Sequence, residues 1–323
     1  MRLIDAETVH RLLDYAYLVD ALEAAHHHDT QASGDLLLEQ PGGLGMASHF
    51  FVRAAWQQGR SVGAKVITIF PDNNRNGCAH PAIQAVYVLF DGDTGAPLAC
   101  IDGTALTLRK TAGDSALGAK HLARDDVEHL LMVGAGAMAP HLIRAHCAVR
   151  PSLRHVSIWN RAADRAAALA AELQLDGVAL HPSTDLERSA READLICSAT
   201  ASSEPLLRGE WLTSGVHVDL VGAFTETMRE ADNDVFRRGR VYVDSRASTV
   251  AEIGELIIPI RDGVLGEADV LADLYELCRG LQAGRTDPEA ITVFKNGGGG
   301  HLDLMTARLV YDRVVDEAPD QVT

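Results

Sequence analysis

The stretch LLMVGAGAMAPHLI, residues 130–143, decides the fold of this chain. An apolar run ends there in a Gly-x-Gly-x-x-Ala pattern formed by Gly134, Gly136 and Ala139. In a dinucleotide-binding unit the first glycine allows a tight turn, the second lets the backbone approach a pyrophosphate, and the small third residue brings a helix close to the sheet. The phosphates then lie at the N-terminus of that helix. The pattern alone also fits a glycine turn that merely connects two elements, so its context must decide.

Alternating strands and helices surround this turn. We predict strands at residues 129–133, 156–160, 194–199, 216–221, 241–244 and 291–295, with helices such as 138–149 and 162–174 between them. This alternation is typical of a parallel, doubly wound α/β sheet. The second strand lies at the expected distance after the glycine turn, which favours a Rossmann dinucleotide-binding domain.

The chain before residue 123 has a different pattern. Apolar residues at helical spacing predict one helix over residues 5–28, and short β-rich runs broken by Gly, Pro, Asn and Asp follow it. The sequence therefore predicts an α/β protein with a Rossmann domain at residues 123–296. Residues 1–122 and 297–323 are predicted to form a discontinuous α+β domain, closed by an amphipathic C-terminal helix.

The composition argues against several classes of partner. The 323 residues carry a formal net charge of −16, which disfavours nucleic acid and anionic membranes. The five scattered cysteines form no CxxC pair, as is typical of reduced thiols in a cytoplasm. No apolar stretch reaches the length of a membrane span, and none of the 14 histidines belongs to an HExxH motif. We therefore expect a cytoplasmic protein without a metal.

The end of the second predicted strand bears on the choice of cofactor. An acidic residue there would bind the ribose hydroxyls of NAD and repel a 2′-phosphate. This chain has Asn160 and Arg161 instead, with Arg165 one helical turn further. A cation at a helix N-terminus opposes the helix dipole, so a bound phosphate would explain it better than solvent would. The pair favours NADP(H), although two solvated arginines at a helix start remain the alternative.

Several residues of the first domain are suited to an anionic substrate. Lys65 lies within the apolar run SVGAKVITIF, where a charge is costly without a partner or ligand. Arg109 and Lys110 start a predicted helix, and one or both can bind a carboxylate. His80 and Gln84 are candidates for the same pocket. The alternatives are an edge-strand lysine that reaches water, ordinary surface charge, and structural roles.

Seven stretches, in family order, resemble the ornithine cyclodeaminase/mu-crystallin family. They are VGAKVITIFPDN, AVYVLFDGDTGAPLACIDGTALTLRKTAGDSALGAKHLAR, LLMVGAGAMAPHLIRAH, VSIWNR, ADLICSAT, HVDLVGAFTETMREAD and ITVFKNGGGGH. The resemblance implies a homodimer whose first domain binds the substrate and forms the subunit interface. It also implies hydride transfer at the α-carbon of an amino or imino acid.

The resemblance assigns roles residue by residue. Lys65 matches the family's substrate lysine. Lys110, directly before Thr111, stands in the place of the family's carboxylate-binding arginine, with Arg109 one position earlier; which of the two binds the carboxylate stays open. The predicted cofactor contacts are Thr111, Gly134, Gly136, Ala137, Met138, Ala139, Asn160, Arg161, Arg165, Thr200, Val221, Gly222 and Lys295.

One position departs from the cyclodeaminases. They carry an aspartate just after the fourth strand, whereas VGAFTETMREAD has Phe224 there. Phenylalanine cannot act as a base, so ornithine cyclodeamination is disfavoured. The stretch resembles the ketimine-reductase branch, in particular the Δ1-pyrroline-2-carboxylate reductases. We predict that Phe224 packs against the ring of a cyclic imine, with a simple packing role as the alternative.

The sequence thus predicts NADPH-dependent reduction of a cyclic ketimine carboxylate. Δ1-Pyrroline-2-carboxylate would give L-proline and Δ1-piperideine-2-carboxylate would give L-pipecolate, with NADH used at lower preference. Lys65, His80 or a water would supply the proton that the imine needs. The alternatives are an amino-acid dehydrogenase such as alanine dehydrogenase, an ornithine cyclodeaminase, and a non-catalytic, NADPH-dependent ligand-binding protein of the mu-crystallin type.

Overall fold

The computed structural model describes residues 1–32, 36–41, 47–74 and 79–317. The chain divides into two units, of which the first comprises Met1–Lys110 and Gly299–Thr323 and the second comprises Thr111–Gly298. The division differs from the predicted boundary at residue 122, because it falls inside a helix that runs from Gly103 to Leu122. The later part of this helix packs within the second unit, where Gly118 lies against the ring of Phe294.

The described elements have the following bounds. The strands are β1 (Arg2–Ile4), β2 (Gln31–Ala32), β3 (Leu36–Gln40), β4 (Ser48–Gln57), β5 (Ser61–Ile69), β6 (Ile83–Asp91), β7 (Pro97–Asp102), β8 (His129–Val133), β9 (His155–Trp159), β10 (Ala179–Ser183), β11 (Leu195–Ser198), β12 (His217–Leu220), β13 (Arg240–Val243), β14 (Val270–Asp273) and β15 (Thr292–Lys295). The helices are α1 (Ala6–Leu12), α2 (Tyr15–Ala25), α3 (Gly103–Leu122), α4 (Ala139–Val149), α5 (Ala163–Glu172), α6 (Leu186–Glu192), α7 (Asn233–Arg238), α8 (Arg246–Thr249), α9 (Gly254–Arg261), α10 (Leu274–Cys278) and α11 (Gly300–Glu317).

The sheet of the first unit has the order β1-β7-β6-β5-β4-β2, with β3 also paired to β4. Strands β4 to β7 pair antiparallel, and helix α11 contacts β4, β5 and β6. Lys65 on β5 pairs with Arg53 on β4 and with Tyr87 on β6. Because side chains alternate between the two faces of a strand, these three share one face of the sheet. Lys65 contacts Asp303 of α11, so this is the face that α11 covers.

The single helix predicted over residues 5–28 is wrong. The structure has α1 and α2 instead: α1 ends at Leu12, and the next residue, Leu13, has a non-helical backbone (φ −107°, ψ 65°). Asp14 then begins α2, because its side chain accepts a hydrogen bond from the Tyr17 N–H. A capping aspartate therefore interrupts an apolar periodicity that runs through both helices.

The sheet of the second unit confirms the predicted parallel, doubly wound α/β fold. Its order is β10-β9-β8-β11-β12-β15-β13-β14, and each neighbouring pair is parallel. The strands predicted from the sequence correspond to β8, β9, β11, β12, β13 and β15, with ends shifted by a residue at most. Sequence reasoning missed the two edge strands, β10 and β14. Strand β10 is largely exposed and contains Pro182, so it lacks the apolar run of a central strand.

Among the described helices, none is both long and apolar enough to cross a membrane.

Candidate active site

The glycine turn between β8 and α4 has the conformation that the sequence pattern requires. Gly134 has a φ of +108°, and a Cβ added there would lie 2.6 Å from the carbonyl oxygen of Ala199. A larger residue would therefore strain the turn. Gly136 is exposed, and a Cβ added to it would meet no protein atom within 4 Å. The backbone at Gly136 thus borders open space that a ligand can enter.

The N-terminus of α4 follows this turn directly. Its N-cap residue, Met138, makes no side-chain hydrogen bond to the helix end, and Ala139 is buried against the sheet. Asn160 joins the turn to the start of α5, because its Oδ1 accepts a hydrogen bond from the Ala135 N–H and its Nδ2 donates to the carbonyl of Ala162. An uncapped helix end beside a glycine turn is suited to bind phosphate oxygens.

A cavity of about 590 Å³ lies over the turn, and six of the predicted cofactor residues line it. It is lined by Gly134, Ala135, Gly136, Trp159, Asn160, Arg161, Ala162, Arg165, Ala199, Thr200, Ala201, Ser202 and Leu206. Both arginines are exposed at the start of α5, and none of these described lining residues is acidic. The open glycine turn, the uncapped helix and the positive lining fit the phosphates of a dinucleotide.

The remaining predicted cofactor residues lie outside that lining. Ala137, Met138 and Ala139 form the link from the turn into α4, while Val221 and Gly222 follow β12. Their contact with a cofactor stays a prediction.

Two further predicted cofactor residues, Lys295 and Thr111, make hydrogen bonds within the protein. Lys295 is fully buried, and its Nζ donates a hydrogen bond to the carbonyl of Leu220 at 2.9 Å. Burial lowers the pKa of Lys295, and the carboxylates of Glu255 and Glu230 partly oppose that effect. The carbonyl of Thr111 accepts a hydrogen bond from Asn296 Nδ2. For Lys295 this placement disfavours a direct cofactor contact.

The first unit holds a buried cluster of charges that includes two predicted substrate residues. Lys65 Nζ donates a hydrogen bond to Asp303 Oδ1 at 2.9 Å, and Lys110 Nζ lies 3.9 Å from the same oxygen. All three side chains are buried. Burial raises the pKa of Asp303, but the charges of Lys110 and Lys65 outweigh burial and hold that pKa below its ordinary value. Two lysines therefore share one ionised carboxylate inside the unit.

Further side chains complete this cluster. Lys65 Nζ also lies 3.4 Å from Thr107 Oγ1, and Arg53 adds a third positive charge that acts on Asp303. His301 is buried, and burial together with the nearby His26 and Lys110 lowers its pKa to about 3. His301 is therefore neutral at pH 7, and the charge of the cluster comes from Lys65, Lys110, Arg53 and Asp303.

The structure distinguishes the two adjacent candidates for carboxylate binding. Lys110 belongs to the buried cluster, whereas Arg109 contacts the N-terminal helices. Arg109 Nε donates to His10 Nδ1 at 3.0 Å, its Nη2 donates to the His10 carbonyl at 2.8 Å, and its guanidinium lies 4.5 Å from the ring centre of Tyr15. These contacts disfavour the predicted substrate role of Arg109 and explain why the chain has an arginine there.

Two other predicted substrate residues of the first unit are not brought to the cluster. His80 is exposed, before the start of β6. Gln84 is exposed and lies three residues from Tyr87, so it points to the opposite face of the sheet from Lys65. Phe224 follows β12 in the second unit and is 69% exposed. The placement of His80 and Gln84 disfavours their predicted roles, while exposed Phe224 is free of the core and available to a ligand.

Sequence reasoning missed Asp303 and Arg53. The sequence contains an indication of each. Arg53 is a charge within the apolar run FFVRAAW, just as Lys65 is a charge within SVGAKVITIF. Asp303 lies near the start of an amphipathic helix, among residues that the structure buries. A charge on the apolar side of a helix is costly without a partner, so it is itself a sign of a buried ion pair.

One buried group in the second unit has the donor types of a metal site. His146, Cys197 and Asp219 are the His, Cys and Asp side chains that come together among the described residues. His146 Nε2 and Cys197 Sγ each lie 3.1 Å from Asp219 Oδ2, and Ser115 Oγ lies 3.1 Å from Asp219 Oδ1. Burial raises the pKa of Cys197 well above its ordinary value. These distances are those of a hydrogen-bond network, and we assign it no metal.

Comparison with known proteins identifies relatives over almost the whole chain. The sequence profile of the ornithine cyclodeaminase/mu-crystallin family matches residues 47–318. A similar protein is the Δ1-pyrroline-2-carboxylate reductase of Paracoccus denitrificans (strain Pd 1222), which is 41% identical over 298 residues, or 92% of each chain.

Solved structures are similar over the same extent. One is the Thermococcus litoralis Δ1-pyrroline-2-carboxylate reductase in complex with NADH and L-proline, with a TM-score of 0.89 and 26% identity over 98% of each chain. Another is the iminosuccinate reductase of Paracoccus denitrificans in complex with NAD+, with a TM-score of 0.86 and 28% identity over 98% of this chain and 97% of the other.

Proposed function

The chain belongs to the ornithine cyclodeaminase/mu-crystallin family, and from this premise we propose that it is an NADPH-dependent Δ1-pyrroline-2-carboxylate reductase. It is an oxidoreductase that acts on carbon–nitrogen double bonds with a nicotinamide cofactor. The observation that carries the proposal is the buried pair of lysines, Lys65 and Lys110, that share Asp303 in the first unit. Such a cluster is suited to hold a small carboxylate away from water.

The second unit would hold the dinucleotide at the glycine turn. When bound, NADPH supplies the hydride that reduces the substrate. The backbone at Gly136 and the N-terminus of α4 would bind the pyrophosphate, and Arg161 with Arg165 would bind the 2′-phosphate. The two similar structures contain NADH and NAD+, so the preference for NADPH rests on these arginines and on the lack of an acidic side chain among the described lining residues.

The residues of the first unit would bind and protonate the imine. Lys110 would hold the substrate carboxylate, and Lys65 would give a proton to the ring nitrogen. With the hydride that a bound NADPH would supply to C2, this proton would convert the C=N bond into CH–NH. Asp303 would orient Lys65 through the hydrogen bond at 2.9 Å. The product would be L-proline, or L-pipecolate from the larger ring.

We also propose that the protein is a homodimer, formed through the outer face of the first unit's sheet. This face is the one opposite α11, and it exposes Phe50 (39%), Trp56 (52%) and Val86 (44%). Leu36 and Leu38 on β3, which pairs with β4, are exposed by half as well. An apolar patch of this kind marks a protein contact. Analytical ultracentrifugation tests the proposal, because a sedimenting mass of one chain would contradict it.

A substrate panel separates the proposed reaction from its alternatives. NADPH oxidation is followed with Δ1-pyrroline-2-carboxylate, Δ1-piperideine-2-carboxylate, iminosuccinate, and pyruvate plus ammonia. The proposal predicts the highest kcat/KM with a cyclic imine, and turnover with neither cyclic imine would refute it. Turnover only with pyruvate plus ammonia would indicate an amino-acid dehydrogenase. Dinucleotide binding without any turnover would indicate a ligand-binding protein.

A further inference from the structure

Glu230 is a fully buried carboxylate beneath the dinucleotide cavity that the proposed reaction does not use. It lies between β12 and α7. Its Oε1 accepts hydrogen bonds from Ser198 Oγ at 2.6 Å, the Thr200 N–H at 2.7 Å and Thr200 Oγ1 at 2.8 Å. Its Oε2 accepts one from the Gly222 N–H at 2.6 Å. One side chain thus binds the ends of two different strands.

These donors lie at the edge of the sheet where doubly wound folds bind their ligands. Ser198 ends β11 and Gly222 follows β12, the adjacent parallel strand. In such sheets the ligand occupies the crevice beyond the carboxyl ends of the strands. Thr200 lines the 590 Å³ cavity itself. The contacts of Glu230 therefore reach the wall of the cavity through Thr200.

The two loops that Glu230 joins are in direct contact. A Cβ added to Gly222 would lie 2.0 Å from the carbonyl oxygen of Thr200 and 2.3 Å from its nitrogen. The two loops are therefore closely packed, and the buried carboxylate of Glu230 accepts hydrogen bonds from both. Removing the charge of Glu230 would leave the Thr200 and Gly222 N–H groups, which now donate at 2.7 and 2.6 Å, without an ionised acceptor.

Glu230 is itself held in place by a second buried carboxylate. The Glu230 N–H donates to Glu255 Oε2 at 2.7 Å, and the Ala231 N–H donates to Glu255 Oε1 at 3.0 Å. Glu255 belongs to α9 and is fully buried. The backbone that carries Glu230 is therefore anchored, so its side chain can set the position of Thr200 and Gly222.

We propose that Glu230 is a positioning residue for the dinucleotide, which holds the Thr200 and Gly222 loops in the shape that receives the cofactor. It acts through those loops and does not touch the cofactor. The inference rests on the proposed function, because it requires a dinucleotide to bind in the cavity that Thr200 lines.

The test compares Glu230→Gln with Glu226→Gln. Glutamine keeps the shape of the side chain, but its amide NH2 group would face hydroxyl or N–H groups that now donate hydrogen bonds to the carboxylate. Hydrogen bonds to a charged group are strong enough that we expect the NADPH Kd and KM to rise about tenfold or more. The KM for the imine should change less than the KM for NADPH, since the two lysines proposed to hold the imine, Lys65 and Lys110, lie in the first unit. Glu226 is an exposed glutamate of the same segment, so Glu226→Gln should leave both constants unchanged.

Direct titration of NADPH and NADH by calorimetry, beside a thermal melt of each variant, separates the outcomes. If the wild-type protein binds neither dinucleotide, the proposed function is wrong and this inference with it. If the wild-type protein binds NADPH and Glu230→Gln binds it equally well at a lower Tm, Glu230 is only structural and this inference alone is wrong. If Glu230→Gln does not fold, Ser198→Ala removes one donor outside the cavity lining; a rise of about threefold in the NADPH Kd supports the inference, and an unchanged Kd overturns it.

Discussion

The replacement of Lys110 by Met, compared with the replacement of Arg109 by Met, tests which cation binds the substrate carboxylate. The two residues are adjacent in sequence but have separate surroundings. Lys110 Nζ lies 3.9 Å from buried Asp303, while Arg109 is bonded to His10 and stacked on Tyr15. The two neighbouring substitutions should therefore have opposite consequences.

The magnitudes follow from these contacts. Lys110 Nζ and Asp303 Oδ1 are 3.9 Å apart. At an effective dielectric constant of about 20, two opposite charges at this distance attract each other by about 4 kcal/mol. Lys110→Met loses that attraction but also removes the cost of burying an ammonium, and Lys65 remains as the partner of Asp303. The free energy of unfolding should therefore change by much less than that. The lost charge-assisted bond to substrate is worth about 1.5–3 kcal/mol, which is about 10- to 100-fold in the KM for the imine.

Arg109→Met should show the reverse behaviour. It removes two hydrogen bonds to His10 and a cation–π contact with Tyr15, so we expect the free energy of unfolding to fall by about 1–3 kcal/mol. Steady-state kinetics with Δ1-pyrroline-2-carboxylate at saturating NADPH, and urea unfolding of both variants, measure the two effects. A large rise in the imine KM in Arg109→Met with little change in Lys110→Met would refute the assignment.

Three further predictions concern the second unit. Arg161→Asp should lower the ratio of kcat/KM for NADPH to that for NADH by about 10- to 100-fold, and an unchanged ratio would contradict its assigned role. Gly136→Ala should keep the Tm of the wild type but weaken dinucleotide binding in calorimetry, because its Cβ would occupy the space left for the pyrophosphate; equal affinity would place the ligand elsewhere. Burial and the Glu230 carboxylate raise the pKa of Glu255 from 4.5 to about 7, against the opposing charge of Lys295. Between these two pH values the folded state therefore binds more protons than the unfolded state, and the free energy of unfolding falls as the pH rises. This part of the pH dependence amounts to at most about 1.4 kcal/mol per pH unit and should be absent in Glu255→Gln. Urea unfolding followed by circular dichroism at several pH values measures it, and parallel pH profiles of the wild type and the variant would show that Glu255 does not titrate in this range.

Much of the second unit could be predicted because its signals are local. The glycine turn at Gly134 and the apolar runs of the central strands are read within a few residues, and the parallel sheet follows from their alternation with helices. The single helix expected over residues 5–28 failed for an equally local reason, since the cap at Asp14 competes with an apolar periodicity that continues through it. Edge strand β10 has no apolar run to reveal it.

The substrate cluster could be predicted only in part, because its charges come from distant parts of the chain. Asp303 contacts Lys65 across 238 residues, and no spacing rule connects two such positions. Gln84 was misplaced because the face of a strand residue depends on register, and a shift of one residue reverses it. Arg109 and Lys110 differ by one residue on the same helix, and only the packing of the N-terminal helices around His10 separates them.

Transfer of deuterium to the substrate tests whether the protein moves a hydride to the imine carbon. The protein is incubated with Δ1-pyrroline-2-carboxylate and NADPH deuterated at C4 of the nicotinamide, with the two C4 epimers used separately, and the product is analysed by NMR and chiral chromatography. We expect L-proline with deuterium at C2 from one epimer and unlabelled L-proline from the other. If no proline forms, or if the proline from both epimers lacks deuterium at C2, there is no hydride transfer to the imine carbon.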